Sequence, residues 1–177
     1  MLAAIEQFAG APFQVGEIQQ ALLPPPRKTT SYVNAISLSL PCLQVGGDYF
    51  DYFSLTNGKL GIVVADASEH GVSAALLMTT VRALLRQRVT METDIARIVT
   101  DVNHELARDV AASGRFMTLF FLKIEPETQT LNWVRAGHEP AIFYDPANNV
   151  FEELKGSGMA LGVDESCQDD EKQKLGL

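Results

Sequence analysis

Two apolar segments flank an Asn57-Gly58 dipeptide early in the chain, and this feature constrains the fold most strongly. Both residues of an Asn-Gly pair tolerate the positive φ angles of a type I′ turn, the tight connection between antiparallel strands. Residues 49–55 and 60–65 are therefore predicted to form a β-hairpin. The second segment is apolar on both faces, which is typical of a strand inside a sheet.

Helical patterns lie on both sides of this hairpin. Apolar residues recur at intervals of three and four over about residues 72–88 and again over about 94–112, where Thr93 is a candidate N-cap. An earlier pattern predicts a helix over about residues 13–23. Three prolines at 24–26 end that helix, because proline lacks an amide donor.

The hydrophobic period changes from helical to alternating after residue 116. Strands are predicted at residues 117–124, 130–135, 141–144 and 150–154, and an extended run at 32–40. The order from the Asn-Gly turn onward is a hairpin, two helices and two hairpins. This order lacks the strand–helix–strand alternation of a parallel sheet and favours an α+β fold of antiparallel sheets covered by helices.

Composition narrows the classes of function. The formal net charge is −8, whereas a nucleic-acid-binding domain would show a basic stripe. Apolar runs are far shorter than the roughly 20 residues of a membrane-spanning helix, and the N-terminus lacks a secretion signal. Cys42 and Cys167 fit no zinc-binding spacing. We therefore expect a cytoplasmic protein with reduced thiols and with neither nucleic acid nor membrane as a partner.

Two aspartates lie at the ends of the predicted hairpin. Asp48 begins the first strand and Asp66 follows the second, so antiparallel pairing would bring their carboxylates together. Like charges this close are unfavourable unless a cation lies between them or one carboxyl takes up a proton. Gly46 and Gly47 allow the backbone to approach a ligand. A Mg²⁺ or Mn²⁺ ion fits this arrangement, although aspartates at strand ends are also common in turns without metal.

Three longer motifs contain or follow these residues: 46–53 (GGDYFDYF), 65–78 (ADASEHGVSAALLM) and 136–140 (AGHEP). They resemble successive motifs of the bacterial stage II sporulation protein E and sigma-factor-regulator phosphatases, which belong to the PPM, or type 2C, metal-dependent class. Segments 17–24, 116–120 and 158–163 resemble the same family in the same order. The similarity covers nearly the whole chain from Glu17.

The resemblance implies a four-layer α-β-β-α sandwich of two antiparallel sheets between helices, with two Mn²⁺ or Mg²⁺ ions at one edge. It implies that Asp66 bridges both ions, that the Ala67 carbonyl helps to hold one, and that Asp48 binds a metal or its water molecules. A metal-activated water would then attack the phosphorus of a phosphoserine or phosphothreonine. Asp48 and Asp66 are the expected catalytic residues.

Five further residues are candidates for accessory roles. Glu69 stands where the family usually has glycine, and it would either stiffen its loop or add a carboxylate near the metals. His70 is expected to pack or hydrogen-bond within the loop rather than act as a general acid, and Gly71 begins the following helix. Asp51 is expected to anchor its strand. His138 is a family hallmark for which we expect a structural role.

Domain boundaries follow from the same resemblance. Residues 1–26 are expected to form a lead-in helix and a proline-rich linker, and residues 27–177 a partial phosphatase domain. The family domain continues to a Thr-Asp-Gly strand whose aspartate completes the second metal site, and this sequence lacks that motif. We therefore expect a C-terminally truncated domain with little turnover by itself. Asp169 and Asp170 lie in a charged stretch that is typical of a solvated loop, and they are poor substitutes.

The resemblance implies a phosphorylated anti-sigma-factor antagonist as the substrate in bacterial signalling. It also implies an upstream sensor or receiver domain, with the helix at 13–23 as the candidate for switching and for homodimer formation. Two alternatives stay open. One is a catalytically inactive phosphatase-like module that binds such a partner. The other is a diguanylate cyclase, whose Gly-Gly-Asp-Glu-Phe hairpin is similar to residues 46–50, but Tyr49 replaces the glutamate and the βαβ order is missing.

Overall fold

The computed structural model describes residues 11–175 except 42, 92 and 93, and gives only the backbone of residues 11–14 and 175. Cys42 and the candidate cap Thr93 lie outside the described residues. The described elements, in chain order, are helix α1 (Ala11–Leu22), strands β1 (Arg27–Thr29), β2 (Asn34–Ile36), β3 (Asp48–Ser54) and β4 (Leu60–Ala67), helices α2 (Val72–Arg88) and α3 (Ile95–Val110), and strands β5 (Met117–Glu125), β6 (Thr130–Ala136), β7 (Ala141–Asp145), β8 (Val150–Leu154) and β9 (Lys172–Leu175).

A five-stranded sheet in the order β3-β4-β5-β6-β9 forms the centre of the molecule, and β1-β2 and β7-β8 form two separate hairpins. All of these strand pairs are antiparallel. Strand β4 has a partner on each side, as its doubly apolar sequence predicts. The βαβ order of a cyclase is not found among the described elements.

The two faces of the central sheet have different coverings. Helices α2 and α3 pack on one face, where they form the larger core with side chains from β3, β4, β5 and β6. On the other face, Phe120, Trp133 and neighbouring side chains pack with Leu154 of β8 and with Val33, which lies between β1 and β2. The α+β class with antiparallel sheets is confirmed. Within the described residues, the hairpins carry no second layer of helices outside them.

The helix periodicities are confirmed in the core. The apolar stripe of α2 is buried, and so is that of α3; the buried members are Leu77, Met78, Val81, Leu85, Ile95, Ile98, Val99, Val102 and Leu106. The N-cap of α3 is Asp94, whose carboxylate accepts a hydrogen bond from the Arg97 amide at 2.7 Å. In the part of the chain that is described, no helix is long and apolar enough to cross a bilayer.

The Asn57-Gly58 turn forms as predicted. Asn57 and Gly58 have φ angles of 57° and 69°, the positive values that a type I′ turn requires. The amide of Leu55 donates to the Lys59 carbonyl at 2.9 Å, so the turn closes onto a strand pair. The helix expected at 13–23 runs over Ala11–Leu22 instead.

The structure differs from the sequence-based expectation in three places. The extended run at 32–40 is reduced to β2, because only that part pairs with β1, a three-residue strand that the sequence did not predict. Strand β9 was also missed; it pairs with β6 at the sheet edge. Asp169 is buried, with 7% of its surface exposed, and does not lie in a solvated loop.

Burial and the neighbouring charge of Asp170 raise the pKa of Asp169 to about 6. One of its carboxylate oxygens is buried without a hydrogen-bond partner among the described residues. Folding favours the neutral form of a carboxyl whose pKa is higher in the folded state than in the unfolded state. The free energy of unfolding should therefore fall as pH rises from about 4 through 6, and stay lower above that range.

Asp169→Asn should raise the free energy of unfolding at pH 7.5, because the amide removes the ionisation penalty. A shift of this size corresponds to at most about 3 kcal/mol, and solvent screening should reduce the gain to about 1–2 kcal/mol. Urea denaturation at pH 7.5 and pH 5 measures it, with Asp109→Asn at an exposed position of α3 as the control. A gain that does not shrink at pH 5 would contradict this explanation.

Candidate functional site

Asp48 and Asp66 lie directly opposite each other in the register of β3 and β4. Directly opposed residues of an antiparallel pair point to the same face of a sheet. Their strand neighbours Tyr49 and Ala65 point into the helix-side core, so both carboxylates lie on the other face, where both residues are exposed. The juxtaposition that the hairpin predicts is therefore present.

Thr118 and His138 extend this pair into a row of polar groups. Thr118 is the β5 partner of Asp66, and its hydroxyl lies 3.3 Å from the main-chain oxygen of Asp66. The same hydroxyl lies 2.8 Å from Nδ1 of His138. Sequence reasoning assigned no role to Thr118. The available signal was a polar residue within the apolar segment 116–120.

The row is electrostatically negative. Burial, the charge of Asp48 and a hydrogen bond to its carboxyl all raise the pKa of Asp66. Burial lowers the pKa of His138, while the charges of Asp66 and Glu139 oppose that shift. Among the described ion pairs, none joins a lysine or arginine to Asp48 or Asp66. The pair thus lacks a compensating positive charge from the described side chains.

A cavity of about 400 Å³ opens over this row. Its floor includes Asp48, Asp66 and His138, and one wall is formed by the segment 36–39, which begins at the last residue of β2. Ile36 and Leu38 in that wall are 73% and 76% exposed. The cavity can therefore admit a positively charged group next to the carboxylates and an apolar group next to Ile36 and Leu38.

The residues present fit a hard divalent cation, which prefers carboxylate, carbonyl and water oxygens. Gly47 lies so close to the end of β4 that a Cβ there would be 3.0 Å from the Ala67 Cβ and 3.1 Å from the Ala67 carbonyl oxygen. Glycine therefore lets the two aspartate-bearing strand ends approach each other. Within the described residues, no group of three or more His, Cys, Asp and Glu side chains has metal-binding geometry. The carboxylates available to a cation at this site are therefore those of Asp48 and Asp66.

The other loop candidates lie around this centre in different ways. Glu69 has a φ of 72°, a conformation that glycine adopts more easily, and its carboxylate pairs with Arg115 at 3.2 Å. Gly71, with a φ of 70°, precedes the first residue of α2. His70 is exposed and is not among the residues that line the cavity. Only His138 of the two candidate histidines faces the carboxylate pair.

Asp51 points away from the cavity and is fully buried. Its carboxylate accepts two hydrogen bonds from the Arg86 guanidinium at 2.7 and 2.8 Å, and a third from the Tyr49 hydroxyl at 2.7 Å. Burial and the negative charge of Asp51 raise the pKa of Tyr49. These contacts join β3 to α2 and support the anchoring role expected for Asp51.

Gln19 of α1 makes contacts that sequence reasoning did not predict. Its buried side chain donates to the Gly46 carbonyl at 2.7 Å and accepts from the Gly46 amide at 3.0 Å. Arg82 of α2 also donates to the Leu22 carbonyl at 2.8 Å. Helix α1 is therefore fixed both to α2 and to the glycine segment that precedes Asp48.

Arg86→Met should lower the free energy of unfolding by about 3 kcal/mol, because it leaves the buried Asp51 carboxylate without its counter-charge. Arg97→Met is the matched control, since the Arg97–Asp101 pair lies on the surface of α3 and should contribute under about 1 kcal/mol. Urea denaturation at neutral pH compares the two. Equal losses would show that the Asp51 network does not anchor β3.

Comparison with known proteins bears on the family and the fold of the chain. The family model described as Stage II sporulation protein E (SpoIIE) matches residues 56–177. The chain is 25% identical over 163 residues to the phosphoserine phosphatase RsbU of Bacillus subtilis (strain 168), a match that covers 92% of this chain and 48% of that protein. The chain thus spans about half the length of this curated relative.

Two solved structures resemble the fold. The SiaA-PP2C domain of Pseudomonas aeruginosa has a TM-score of 0.76 at 20% identity, over 99% of this chain and 70% of that chain. RsbX, solved in complex with magnesium, has a TM-score of 0.59 at 18% identity, over 74% of this chain and 61% of that chain. At these identities the likeness establishes the PP2C-type fold.

Proposed function

The chain belongs to the stage II sporulation protein E family, and on this premise we propose that it is a metal-dependent phosphatase domain acting on phosphoserine or phosphothreonine in a protein. The observation that carries the proposal is the placement of Asp48 opposite Asp66 on the open face of the sheet. Two carboxylates that have no basic partner among the described side chains, at the floor of a cavity, suit a divalent cation, which would relieve their mutual repulsion.

The residues have separate parts in this proposal. Asp48 and Asp66 would hold Mg²⁺ or Mn²⁺ through their carboxylates, with the Ala67 carbonyl as a further oxygen, as the family resemblance implies for two ions. Bound metal supplies an acidified water and neutralises phosphoryl oxygens. Thr118 fixes the main chain at Asp66 through its hydroxyl. The structural neighbour RsbX was solved with magnesium, which supports this choice of ion.

Direct attack by water agrees with the lining of the cavity. The described lining residues include no cysteine. Among the described hydrogen bonds, the lining serines Ser37 and Ser39 have no bond to a general base, and the Ser37 hydroxyl is bonded to Tyr52 at 2.5 Å. The described lining therefore shows no activated nucleophile of the kind that a covalent phosphoenzyme requires. We therefore propose a single displacement at phosphorus, without a phosphorylated protein intermediate.

For the substrate we propose a phosphorylated anti-sigma-factor antagonist or a similar signalling protein. The relative RsbU is named a phosphoserine phosphatase, which supports phosphoserine as the hydrolysed group. The exposed apolar wall at Ile36 and Leu38 provides a surface for residues beside the phosphorylated one.

Asp66→Asn should lower kcat/KM for Mn²⁺-dependent phosphate release from a phosphoserine peptide by roughly 100-fold or more, because it removes a charged metal ligand. It should also weaken Mn²⁺ binding in calorimetry. Asp109→Asn, at an exposed position of α3, is the matched control and should change neither quantity.

Three results would count against this function. Release that needs no metal, or that survives Asp66→Asn, would contradict the metal-dependent mechanism. Tight phosphopeptide binding without release at any Mn²⁺ concentration would identify the chain as a binding module instead.

A further inference from the structure

His138 is held in place through its main chain. It follows β6 by way of Gly137, whose φ is 67° and where a Cβ would lie 2.7 Å from the Ala160 nitrogen. The Gly137 amide donates to the Gly158 carbonyl at 2.9 Å, and the Arg135 guanidinium donates to the main-chain oxygen of His138. This tight turn sets the imidazole against Thr118 of the neighbouring strand.

The hydrogen bonds of Thr118 assign the tautomer of neutral His138. A hydroxyl has one proton to donate and two lone pairs with which to accept. Thr118 lies within hydrogen-bond distance of both the Asp66 main-chain oxygen and Nδ1 of His138. Both contacts are satisfied only when Thr118 donates to Asp66 and accepts from a protonated Nδ1. The Nε2 atom of His138 is then the ring nitrogen left to act in the cavity.

Two hydroxyl groups in the cavity wall are already engaged in hydrogen bonds, and the third belongs to Ser39, an aliphatic hydroxyl that does not release a proton near neutral pH. Tyr49 lines the cavity, but its hydroxyl donates to Asp51 on the core side. The Ser37 hydroxyl is bonded to Tyr52. Asp48 and Asp66 are assigned to the metal in the proposed function. His138 therefore remains as the titratable group of the described lining with a ring nitrogen free for proton transfer.

The chemistry of the proposed reaction requires such a donor. A departing seryl or threonyl oxygen is strongly basic, and it leaves readily only when it takes up a proton as its bond to phosphorus breaks.

We propose that His138 is the general acid of this phosphatase site, an inference that rests on the proposed function. The oxygen of the attacking water forms a bond to phosphorus while the bond from phosphorus to the seryl oxygen breaks. The seryl oxygen keeps the electron pair of that bond and takes the proton from Nε2. His138 is left neutral, with its Nδ1 proton held by Thr118, and regains a proton from solvent. The products are the free hydroxyl side chain and inorganic phosphate.

His138→Gln separates this role from a structural one when two substrates are compared with Mn²⁺. Turnover of a phosphoserine peptide should fall roughly 100-fold or more. Turnover of p-nitrophenyl phosphate should fall about threefold or less, because nitrophenolate leaves without a proton. Mn²⁺ affinity by calorimetry and the thermal midpoint should stay close to those of the unaltered chain. His104→Gln is the matched control, since His104 pairs with Glu165 away from the cavity lining.

Each other result decides against the inference. An equal loss with both substrates would show that His138 supports the site as a whole, and no loss with either would show that it is dispensable. Loss of Mn²⁺ affinity would place its effect on the metal rather than on the departing oxygen. If the unaltered chain releases phosphate from neither substrate, even at the low rate expected of a truncated domain, the proposed function itself fails, and this inference fails with it.

Discussion

The repulsion between Asp48 and Asp66 is the constraint on which the rest of the site depends. Their direct opposition in β3 and β4 would destabilise a hairpin that had no cation to bind. The pairing register therefore has to be imposed by other parts of the structure. The Asn57-Gly58 turn fixes it at one end, and a shift of one residue would turn the Asp48 side chain toward the helices.

The alternation of strand β3 places the carboxylates of Asp48 and Asp51 on opposite faces of the sheet. Asp51 points into the helix-side core and is neutralised by Arg86, whereas Asp48, an odd number of positions away, points to the cavity. The glycine segment before Asp48 is held by Gln19 of α1. The contacts of Asp51 with α2 and of the glycine segment with α1 thus hold the strand that carries Asp48. The positions of Asp48 and Asp66 are therefore maintained despite the repulsion between their carboxylates.

Local signals predicted what depends on local structure. The hairpin, the stripes of α2 and α3, and the adjacency of Asp48 and Asp66 follow from turn chemistry and periodicity. The positions of Thr118 and His138 beside Asp66 depend on how β5 and β6 align with β4. These strands are far apart in sequence from β4, so local sequence patterns do not predict their alignment. Strand β9 is charged and polar apart from its last residue, and Asp169 is buried only because the chain folds back onto the Gly158 region. Tertiary contacts therefore decided both features.

The most direct test of the central claim is an anomalous difference map from crystals of the chain grown with Mn²⁺. We expect a peak in contact with the carboxylates of both Asp48 and Asp66, at about 2.0–2.4 Å from the oxygens that ligate it. A well-ordered map with no manganese between these two side chains, or with the metal bound only elsewhere, would contradict the assignment of this carboxylate pair as a metal site.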